Sequence, residues 1–535
     1  MAQYSIKRKN NYHRRANGDI HEVVMVADRY GNIVNPAGQG GSSTAGAFGE
    51  LQVSTIHPFF QLDGLYGLSS DRFQLNASGS GTQYTDSDGL MTVSSGTTTG
   101  SFSTLRSKRS VRYRPGQGSV ARFTAMWPNG QVNGYQQVAG YINQNNVIGV
   151  GYNVNNSKFA VLRRSNSNGE VAKFTITAAA TGNETVTFVL NDVVIPVPVT
   201  AGTIAHNTAE IGNFPFPGWV VDHCEDTLHF LYNGPPTNLT GAFSISSTGT
   251  LTGTYTELQS GQAPTDKWTY QDSFNIDTLD GKGPSGMRLN ANKLNVFQID
   301  FRWLGAGRIR YMVEDGATGQ LFPFHEEYYA NSNTVPHVSN PSLRIGYAVV
   351  NAAPGLGTGT DVQVKGASMM GGIEGLVVRN NRANSVSASS AASKSAGSDH
   401  HVLTIKNNRI NESGKPSVLN QREIIVQTIS AAVVGTGTAS DPVQLKLYLN
   451  ADTAANLQYT AIGDGSTDTS STVTTIDAGQ ESKLIGSYSF SPGSDVTLDV
   501  SDLRIILAPL DRLSMAVRST GTLNEHAVNI NFEIE

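Results

Sequence analysis

Two short segments of the sequence gather residue types that could carry out chemistry. His325, Glu326 and Glu327 stand side by side, and an imidazole next to carboxylates is a common pairing for general acid–base catalysis. The second segment covers residues 220–230 and contains several side chains that can ligate a transition metal. These are Asp222, His223, Cys224, Glu225, Asp226 and His229.

Neither segment has the spacing that these functions require. The first lacks the pair of histidines, four residues apart on a helix, that binds zinc in metalloproteases. On a strand, His325 and Glu327 would share one face and Glu326 would lie on the other, and the ligands of residues 220–230 would be scattered over both faces. We therefore predict a polar strand end at an interface for the first segment. For the second we predict a strand with a packed cysteine, and for the whole chain no catalytic, cofactor-binding or metal site.

Three loops also contain groups that could bind ligands. Asp86–Gly89 and Asp464–Asp468 supply the oxygen ligands that calcium prefers, but neither continues to the distal glutamate of a calcium loop. Aspartate and glycine are common turn residues, so turns are the preferred interpretation and bound calcium stays an alternative. The glycine-rich residues 355–361 precede no helix and no Gly-Lys-Ser/Thr, which predicts a plain loop.

Aromatic side chains raise the alternative of a sugar-binding surface. On strands their usual place is the core, and only an exposed cluster in a groove would indicate a glycan partner. The residues in question are Trp219, Trp268, Trp303, Tyr328 and Tyr329.

Composition indicates an all-β protein of several domains. At 535 residues the chain is long enough for three or four domains. Charged residues make up only 15%, glycine numbers 56, and strand-forming Val, Ile, Thr, Tyr and Phe recur throughout. The single cysteine, Cys224, excludes an intrachain disulfide framework and a cysteine-based zinc site. We expect several β-sandwiches whose stability comes from burial.

Charge is nearly balanced overall but unevenly distributed. A net charge of −5 over this length does not create a general nucleic-acid-binding field. Residues 440–535 contain 13 acidic and five basic residues, so this acidic end could attract a basic segment of a neighbouring subunit. No signal-peptide pattern and no apolar run of membrane-spanning length is present, so we expect no membrane insertion. The basic segment is the N-terminal arm, whose anchor candidates are Lys7, Arg8, Lys9, Arg14 and Arg15.

Patterning along the chain predicts five parts. Residues 297–315 predict a hairpin around Leu304–Gly307, whose glycines would supply positive φ angles, and residues 342–350 predict a further strand. Turn signals about every ten residues favour a small inserted sandwich. The predicted parts are an anchoring arm and connector (1–50), a central sandwich (51–169 with 259–383), the inserted sandwich (170–258), a Ser/Ala-rich linker (384–415) and a C-terminal sandwich (416–535).

The stretch "VRYRPGQGSVARFTAMW", residues 111–127, carries the last candidate site. If it begins as a strand, Arg112 and Arg114 lie on one face and Val111 and Tyr113 on the other, before Pro115 starts a turn. The arginines could pair with carboxylates across a subunit interface, because guanidinium–carboxylate pairs tolerate partial burial. A solvated strand face followed by a turn explains the same residues equally well.

A set of motifs in fixed order resembles a family of virion structural proteins of tailed bacteriophages, notably myovirus-like phages of aquatic bacteria. The similarity spans about residues 105–380. Its motifs are "RYRPGQGSVARFTAMW", "GVGYNVNNSKFAVLRRSNSNGEV", "FTITAAATGNETVTFVLNDV", "QAPTDKWTYQDSFNIDTLDGKGPSGMRLNANKLNVFQIDFRWLGAGRIRYMVED" and "HEEYYANSNTVPHVSNPSLRIGYAVVN".

The resemblance implies a jelly-roll or lectin-like particle component and no catalytic residues. We expect a non-enzymatic structural protein of a phage tail, baseplate or tail fibre, made in the host cytoplasm and then part of the virion. It would form a homo-oligomer, with a trimer favoured, and contact neighbouring virion proteins. The alternatives are a head fibre or decoration protein of the capsid surface and a lectin-like protein that binds host glycans.

Overall fold

The regular secondary structure of the described residues is almost entirely antiparallel β-sheet, which confirms the all-β class. The structure is a computed structural model with about 52% strand and 4% helix. It describes residues 11–14, 20–23, 26–27, 33–34, 55–165, 167–235, 237–351, 359–375, 383–390, 395–414, 417–434, 443–463, 466–491, 494–521 and 525–535.

Thirty-eight strands and one α-helix are numbered here in chain order over these residues. The first thirteen strands are β1 (Asn11–Arg14), β2 (Ile20–Val23), β3 (Val26–Ala27), β4 (Ile33–Val34), β5 (Ile56–Asp63), β6 (Phe73–Ser78), β7 (Thr82–Thr85), β8 (Met91–Ser94), β9 (Phe102–Ser107), β10 (Ser119–Ala125), β11 (Tyr135–Ile142), β12 (Val147–Tyr152) and β13 (Ala160–Ser165). The next group is β14 (Val171–Ala178), β15 (Glu184–Leu190), β16 (Val193–Val199), α1 (Ile204–Gly212), β17 (Trp219–Cys224), β18 (Thr227–Tyr232), β19 (Phe243–Ser247) and β20 (Thr252–Gln259).

The chain then returns to the central sheets and continues into the C-terminal ones. The returning strands are β21 (Thr265–Tyr270), β22 (Asn295–Phe301), β23 (Ile309–Glu314), β24 (Leu321–Glu327), β25 (Ile345–Asn351), β26 (Gln363–Gly366) and β27 (Ser368–Glu374). The last are β28 (Ala383–Ser390), β29 (His400–Asn407), β30 (Ile424–Val434), β31 (Val443–Leu449), β32 (Thr460–Ile462), β33 (Thr467–Ser470), β34 (Leu484–Phe490), β35 (Asp495–Asp499), β36 (Ile506–Leu507), β37 (Arg512–Ser519) and β38 (Glu525–Ile534). Short 3₁₀ turns lie at Gln271–Ser273, Glu481–Lys483 and Ser501–Leu503.

The central part is a sandwich of two large sheets. One has six strands in the order β24-β23-β22-β10-β27-β5, and the other has seven in the order β21-β13-β12-β11-β25-β9-β6. A small third sheet, β26-β8-β7, adjoins them. Both large sheets contain strands from before and after residues 171–259, so the segment between them is an insertion into this sandwich.

The central core forms because apolar residues alternate along the strands. In β23, Ile309, Tyr311 and Val313 are buried while the residues between them are half-buried. The two inner faces meet over aromatic side chains, among which Trp127 contacts Phe159 edge-on at 5.2 Å between ring centroids. Period-two alternation on both sheets thus produces one continuous core.

The hairpin predicted at residues 297–315 is confirmed, but the residues with positive φ in its turn differ from those predicted. β22 pairs with β23 in an antiparallel ladder. Gly305 has the expected positive φ of 81°, but Leu304 also adopts positive φ, at 34°, and Gly307 does not. Glycine is required at 307 for space instead, because a Cβ there would lie 1.7 Å from the carbonyl oxygen of Arg302.

Residues 171–259 form a smaller sandwich with its own core. A four-stranded sheet, β17-β18-β14-β20, packs on a three-stranded sheet, β16-β15-β19. Phe174, Phe188 and Phe230 cluster between the sheets. The helix α1, which no sequence pattern predicted, is preceded by the N-cap residue Thr203, whose hydroxyl accepts the backbone N–H of His206.

The C-terminal sandwich includes much of the segment predicted as a linker, and that prediction is wrong for these residues. Its sheets are β28-β38-β30-β35, with β36 also paired to β30, and β32-β33-β29-β37-β31-β34. β28 pairs with β38 over eight register positions, and Val386 and Ala388 pack against the core. Every residue of β29 is buried. Small and polar side chains suffice in β28 because it is an edge strand, stabilised by the ladder of its neighbour.

Candidate functional site: charged junctions between the sandwiches

The arginine-rich stretch that begins at Val111 lies at the contact between the central and C-terminal sandwiches. Residues 111–114 do not form a strand: Val111 makes one isolated bridge, with Leu343. Val111 is buried in the central core and Tyr113 packs on Trp303 at 5.1 Å. The predicted opposition of apolar and basic side chains therefore holds, although the backbone that creates it is irregular.

The turn after these residues also forms as predicted. Gly116 has a φ of 86°, and the backbone N–H of Gln117 donates to the carbonyl oxygen of Arg114 at 3.0 Å. Proline followed by glycine with positive φ is typical of a type II turn. The turn ends the basic segment and leads into β10.

Basic residues 108–114 meet carboxylates that come from the far end of the chain. Arg109 and Arg112 approach Glu423 at 3.4 and 3.9 Å, and Arg114 pairs with Glu535. Lys108 pairs with Asp511 at 2.5 Å. In this chain the arginines thus bind carboxylates of the same chain. A role for Arg112 and Arg114 between subunits stays a prediction.

These ion pairs form the first junction, between the central and C-terminal sandwiches. Burial makes this junction sensitive to the loss of one partner. Glu423 is almost completely buried. Burial lowers the pKa of Arg112 to about 10, and Glu423 opposes that change. The guanidinium therefore stays charged at neutral pH, and removal of Glu423 would leave buried positive charge without its partner.

A second junction joins the inserted and C-terminal sandwiches through Lys406. Its Nζ donates to Oδ1 of Asp222 and to the carbonyl oxygen of His223, both at 2.7 Å. Asp468 lies 3.2 Å away, and the ammonium stands 4.1 Å from the ring centroid of Tyr459. The other carboxylate oxygen of Asp222 accepts the backbone N–H of Arg409. Asp222 and Asp468 come from β17 and β33, so the lysine connects two sheets of different sandwiches.

The pKa shifts at this junction show which charges are stabilised. Burial alone would lower the pKa of Lys406, but Asp222 and Asp468 outweigh it and raise that pKa. Burial would raise the pKa of Asp222, and Lys406 more than reverses this. The pKa of Asp468 is raised by burial, which Lys406 only partly offsets. Lys406 and Asp222 therefore form the dominant pair.

The remaining groups of the potential metal-binding segment separate around this pair. Burial, with Lys406, lowers the pKa of His223 to about 3, and burial with Asp468 raises the pKa of the Cys224 thiol well above its ordinary value. His229 instead contacts Glu412, with 2.8 Å between Nε2 and Oε1. Within the part of the chain that the structure describes, no three His, Cys, Asp or Glu side chains are grouped as metal ligands. The cluster is a structural junction beside a cleft of about 230 Å³.

The potential acid–base segment is held in ion pairs. Glu327 accepts from Arg163 and Lys267, each at 3.0 Å, and these cations lower its pKa against the effect of burial. His325 and Glu327 both contact Tyr311, whereas Glu326 pairs with Arg308 at 3.1 Å, which confirms the predicted faces.

Comparisons with known proteins give distant structural similarity only. No protein-family model and no curated protein matches the sequence. A Bauhinia forficata lectin in complex with GalNAc is similar with a TM-score of 0.18 and 9% identity, over 60% of this chain and 98% of the lectin. The structure of infectious bursal disease virus, Gx strain, gives 0.15 and 10%, over 85% of this chain and 72% of that one. A triple jelly roll protein of an archaeal virus turret gives 0.15 and 11%, over 76% and 97%. TM-scores of this size do not establish a common fold, so the functional argument depends on the chain itself.

Where the structure describes them, the acidic and glycine-rich loops form turns that are stabilised by hydrogen bonds and an ion pair. Asp86 accepts the backbone N–H groups of Asp88 and Leu90 and pairs with Lys365 at 3.0 Å. Asp361, at the end of the glycine-rich loop, accepts the backbone N–H of Gly96 at 2.9 Å. Asp464 and Gly465, and residues 355–358, lie outside the described residues.

The five aromatic residues do not form an exposed cluster. Trp219 and Tyr329 are buried, and Trp303 packs against the central core with its indole N–H donating to the carbonyl oxygen of Val338. Trp268 packs on a small apolar cluster of the seven-stranded sheet. Tyr328 is 68% exposed. Core packing is therefore the main role of this set.

The anchor candidates of the N-terminal arm fall largely outside the description. Lys7, Arg8, Lys9 and Arg15 lie outside the described residues, and Arg14 ends β1. β1 pairs with β2, and β3 pairs with β4. Separately, no helix in the described ranges is both long and apolar enough to cross a membrane.

Sequence reasoning missed the residues that complete both junctions. Glu423, Lys406 and Asp468 each stand in a strand or next to one, and their partners lie far away in the sequence. The available signal was the charge of Lys406 directly after the mainly apolar residues 402–405.

Proposed function

We propose that this protein is a non-enzymatic structural component of a virus particle, in the tail, baseplate or tail fibre of a phage. The observation that supports it best is the way the three sandwiches are joined. Each junction consists of buried, paired charges contributed by two sandwiches, with Arg112 and Glu423 at one and Lys406 and Asp222 at the other. Such a chain is a building block of fixed geometry.

The pairing geometry favours rigidity over hinge motion. Each pair fixes one relative position of its two sandwiches, because a displacement that leaves an ion buried but unpaired costs several kcal/mol. A component that must transmit position through an assembled particle requires this kind of fixed connection.

The groups that could support catalysis are already used for structure. Glu327 is shared by Arg163 and Lys267, and the segment containing Asp222 connects two sandwiches. Burial keeps the pKa of His325 below its ordinary value, although the nearby Glu327 opposes this. A carboxylate bound to two cations is a weak base, so these arrangements favour architecture over acid–base chemistry.

Assembly would use the basic arm and the acidic C-terminal sandwich. The arm carries five basic residues within its first 15 residues and no acidic ones, and complementary charge favours contact with the acidic end of a neighbouring subunit. A homo-oligomer, with a trimer favoured, and neighbouring virion proteins are the partners in this proposal. The capsid surface is the alternative location, reached with the same domains on a different anchor.

The experiment is immunogold electron microscopy of purified particles with antibodies raised against the whole folded chain, together with mass spectrometry of the same particles. Gold at the tail end supports the proposal. Gold over the head supports the capsid-surface alternative. Absence of the protein from particles by both methods overturns the virion assignment. Native mass spectrometry of the purified chain tests the trimer independently.

A further inference from the structure

A cavity of about 70 Å³ lies where the three sandwiches meet. Its floor is the outer face of the seven-stranded sheet, which contributes Arg106 from β9 and Arg164 from β13. The inserted sandwich contributes residues 233–235, and the C-terminal part contributes Arg409. All three units are therefore needed to form it.

The charges that line the cavity all have one sign. Three arginines and no aspartate or glutamate are among the lining residues. Arg164 is neutralised by Asp266, which accepts from it at 2.7 and 2.8 Å, and it also donates to Gln136. Two positive groups, Arg106 and Arg409, remain.

These two guanidinium groups are buried without a counter-charge. Arg106 and Arg409 are each only 6% exposed, and Nε of Arg106 makes no hydrogen bond. Among the residues described, no carboxylate forms an ion pair with either one. Asp222 is the acidic residue that acts on Arg409 over distance, and it is already bound to Lys406.

Burial and neighbouring positive charge both act against the charged forms of Arg106 and Arg409. Burial, together with the neighbouring Arg344, lowers the pKa of Arg106 to about 9, and burial with Arg344 and Arg106 lowers that of Arg409 to about 9. Both groups still carry their charge at neutral pH. Arg344 itself donates to the carbonyl oxygen of Lys108 and to Gln74, so it adds positive potential without being available as a ligand.

We propose that this cavity binds a small oxyanion, a sulfate, phosphate or carboxylate group, between the guanidinium groups of Arg106 and Arg409. Guanidinium groups match such oxyanions in charge and in hydrogen-bond geometry. At about 10–15 Å³ per water site the cavity has room for roughly five waters, which suits one oxyanion group and is too little for a whole sugar chain. Thr104 lines the same space. The site is independent of the proposed structural function.

The test is direct binding by isothermal titration calorimetry, with sodium sulfate, sodium phosphate and sodium glucuronate as separate probes at constant ionic strength. The intact chain should bind one equivalent of at least one probe. Arg106→Gln and Arg409→Gln should each weaken that binding at least tenfold. Arg310→Gln is the matched control, because Arg310 pairs with Asp300 and does not line the cavity. It should bind like the parent protein.

The three probes also separate the sources of the group. Tightest binding of sulfate or phosphate identifies a free ion or an ester of that type, and tightest binding of glucuronate identifies an acidic sugar. Since a glutamine variant could fail to fold, Arg106→Lys and Arg409→Lys provide a second pair that retains charge but loses bidentate geometry, and they too should bind more weakly than the parent. The proposal is overturned if the parent binds none of the probes, which would leave only water in the cavity, or if binding survives unchanged in folded variants of both arginines.

Discussion

Nζ of Lys406 lies 2.7 Å from Oδ1 of Asp222, although 184 positions separate the two residues along the chain. Both side chains are nearly inaccessible to solvent, at 7% and 6%. A pair at this distance and depth connects the inserted sandwich to the C-terminal one. Lys406 and Asp222 can be replaced singly or together, which makes the junction testable.

Replacement of Lys406 should be strongly destabilising. Lys406→Met leaves Asp222 and Asp468 buried without their cation, and loss of one partner of a buried pair costs about 3–5 kcal/mol. The combined variant Lys406→Met with Asp222→Leu should recover part of this loss. Calorimetric unfolding provides the measurement. Lys158→Met, which breaks the exposed pair with Asp272, is the control and should change stability far less, because exposed ion pairs are screened by solvent. Equal effects at the two lysines would contradict the assignment of the junction.

The two aspartates around Lys406 should respond differently to neutralisation. The pKa of Asp222 is lowered and that of Asp468 is raised, so only the charge of Asp222 is stabilised by folding. Asp222→Asn should therefore lower the free energy of unfolding more than Asp468→Asn at pH 7. Thermal denaturation of the two variants measures this, and the reverse order would show that the shifts were assigned to the wrong pair.

The same junction should define a pH window of stability. The lowered pKa of Asp222 contributes stability above its ordinary value of 3.8, and this is lost as pH falls through the folded-state pKa. The raised pKa of Lys406 contributes stability below its ordinary value of 10.5, and this is lost as pH rises through its folded-state pKa. Melting temperature against pH should therefore fall at both ends, and less steeply in the Lys406→Met, Asp222→Leu variant. Parallel curves for the variant and the parent would argue against the linkage.

The junction between Arg114 and Glu535 should tolerate exchange of its charges. Arg114→Glu and Glu535→Arg, made singly, place like charges together and should destabilise the contact of the central and C-terminal sandwiches. The double variant should regain stability, with a coupling energy of about 0.5–3 kcal/mol. Hydrogen exchange over residues 108–118 and 525–535 measures the local stability of this contact in each variant. Additive single effects would show that the pair is not energetically coupled.

Gly307, in the turn between β22 and β23, and Gly316, in the turn between β23 and β24, form a matched pair of positions. A Cβ at 307 would meet the carbonyl oxygen of Arg302 at 1.7 Å, whereas one at 316 would meet no atom within 4 Å. Gly307→Ala should cost about 1–3 kcal/mol through forced backbone movement. Gly316→Ala should be neutral or stabilise by about 0.4–1 kcal/mol, because it restricts the unfolded chain. Thermal denaturation distinguishes the two, and equal melting temperatures would refute the steric explanation.

Much of the fold followed from local pattern, because strand alternation has a period of two residues and is visible in any short window. The hairpin at residues 297–315 and the strands of the C-terminal sandwich, such as β31 and β38, could be predicted in this way. The strand β28 could not, since its serines and alanines bury little apolar surface and the strand depends on pairing with β38. Helix α1 was missed for a similar reason: it is short, and its packing against the inserted core decides its conformation.

The sequence by itself determined the all-β class, the opposition of basic and apolar side chains around Arg112, and the absence of spacing for a familiar catalytic motif. Only the tertiary structure decided which carboxylate each cation meets, because Glu423 reaches Arg112 and Asp222 reaches Lys406 across hundreds of positions of chain. It alone also brought Arg106 and Arg409 to one cavity. Charge pairing acts through space over a few ångströms, and sequence separation carries no record of that distance.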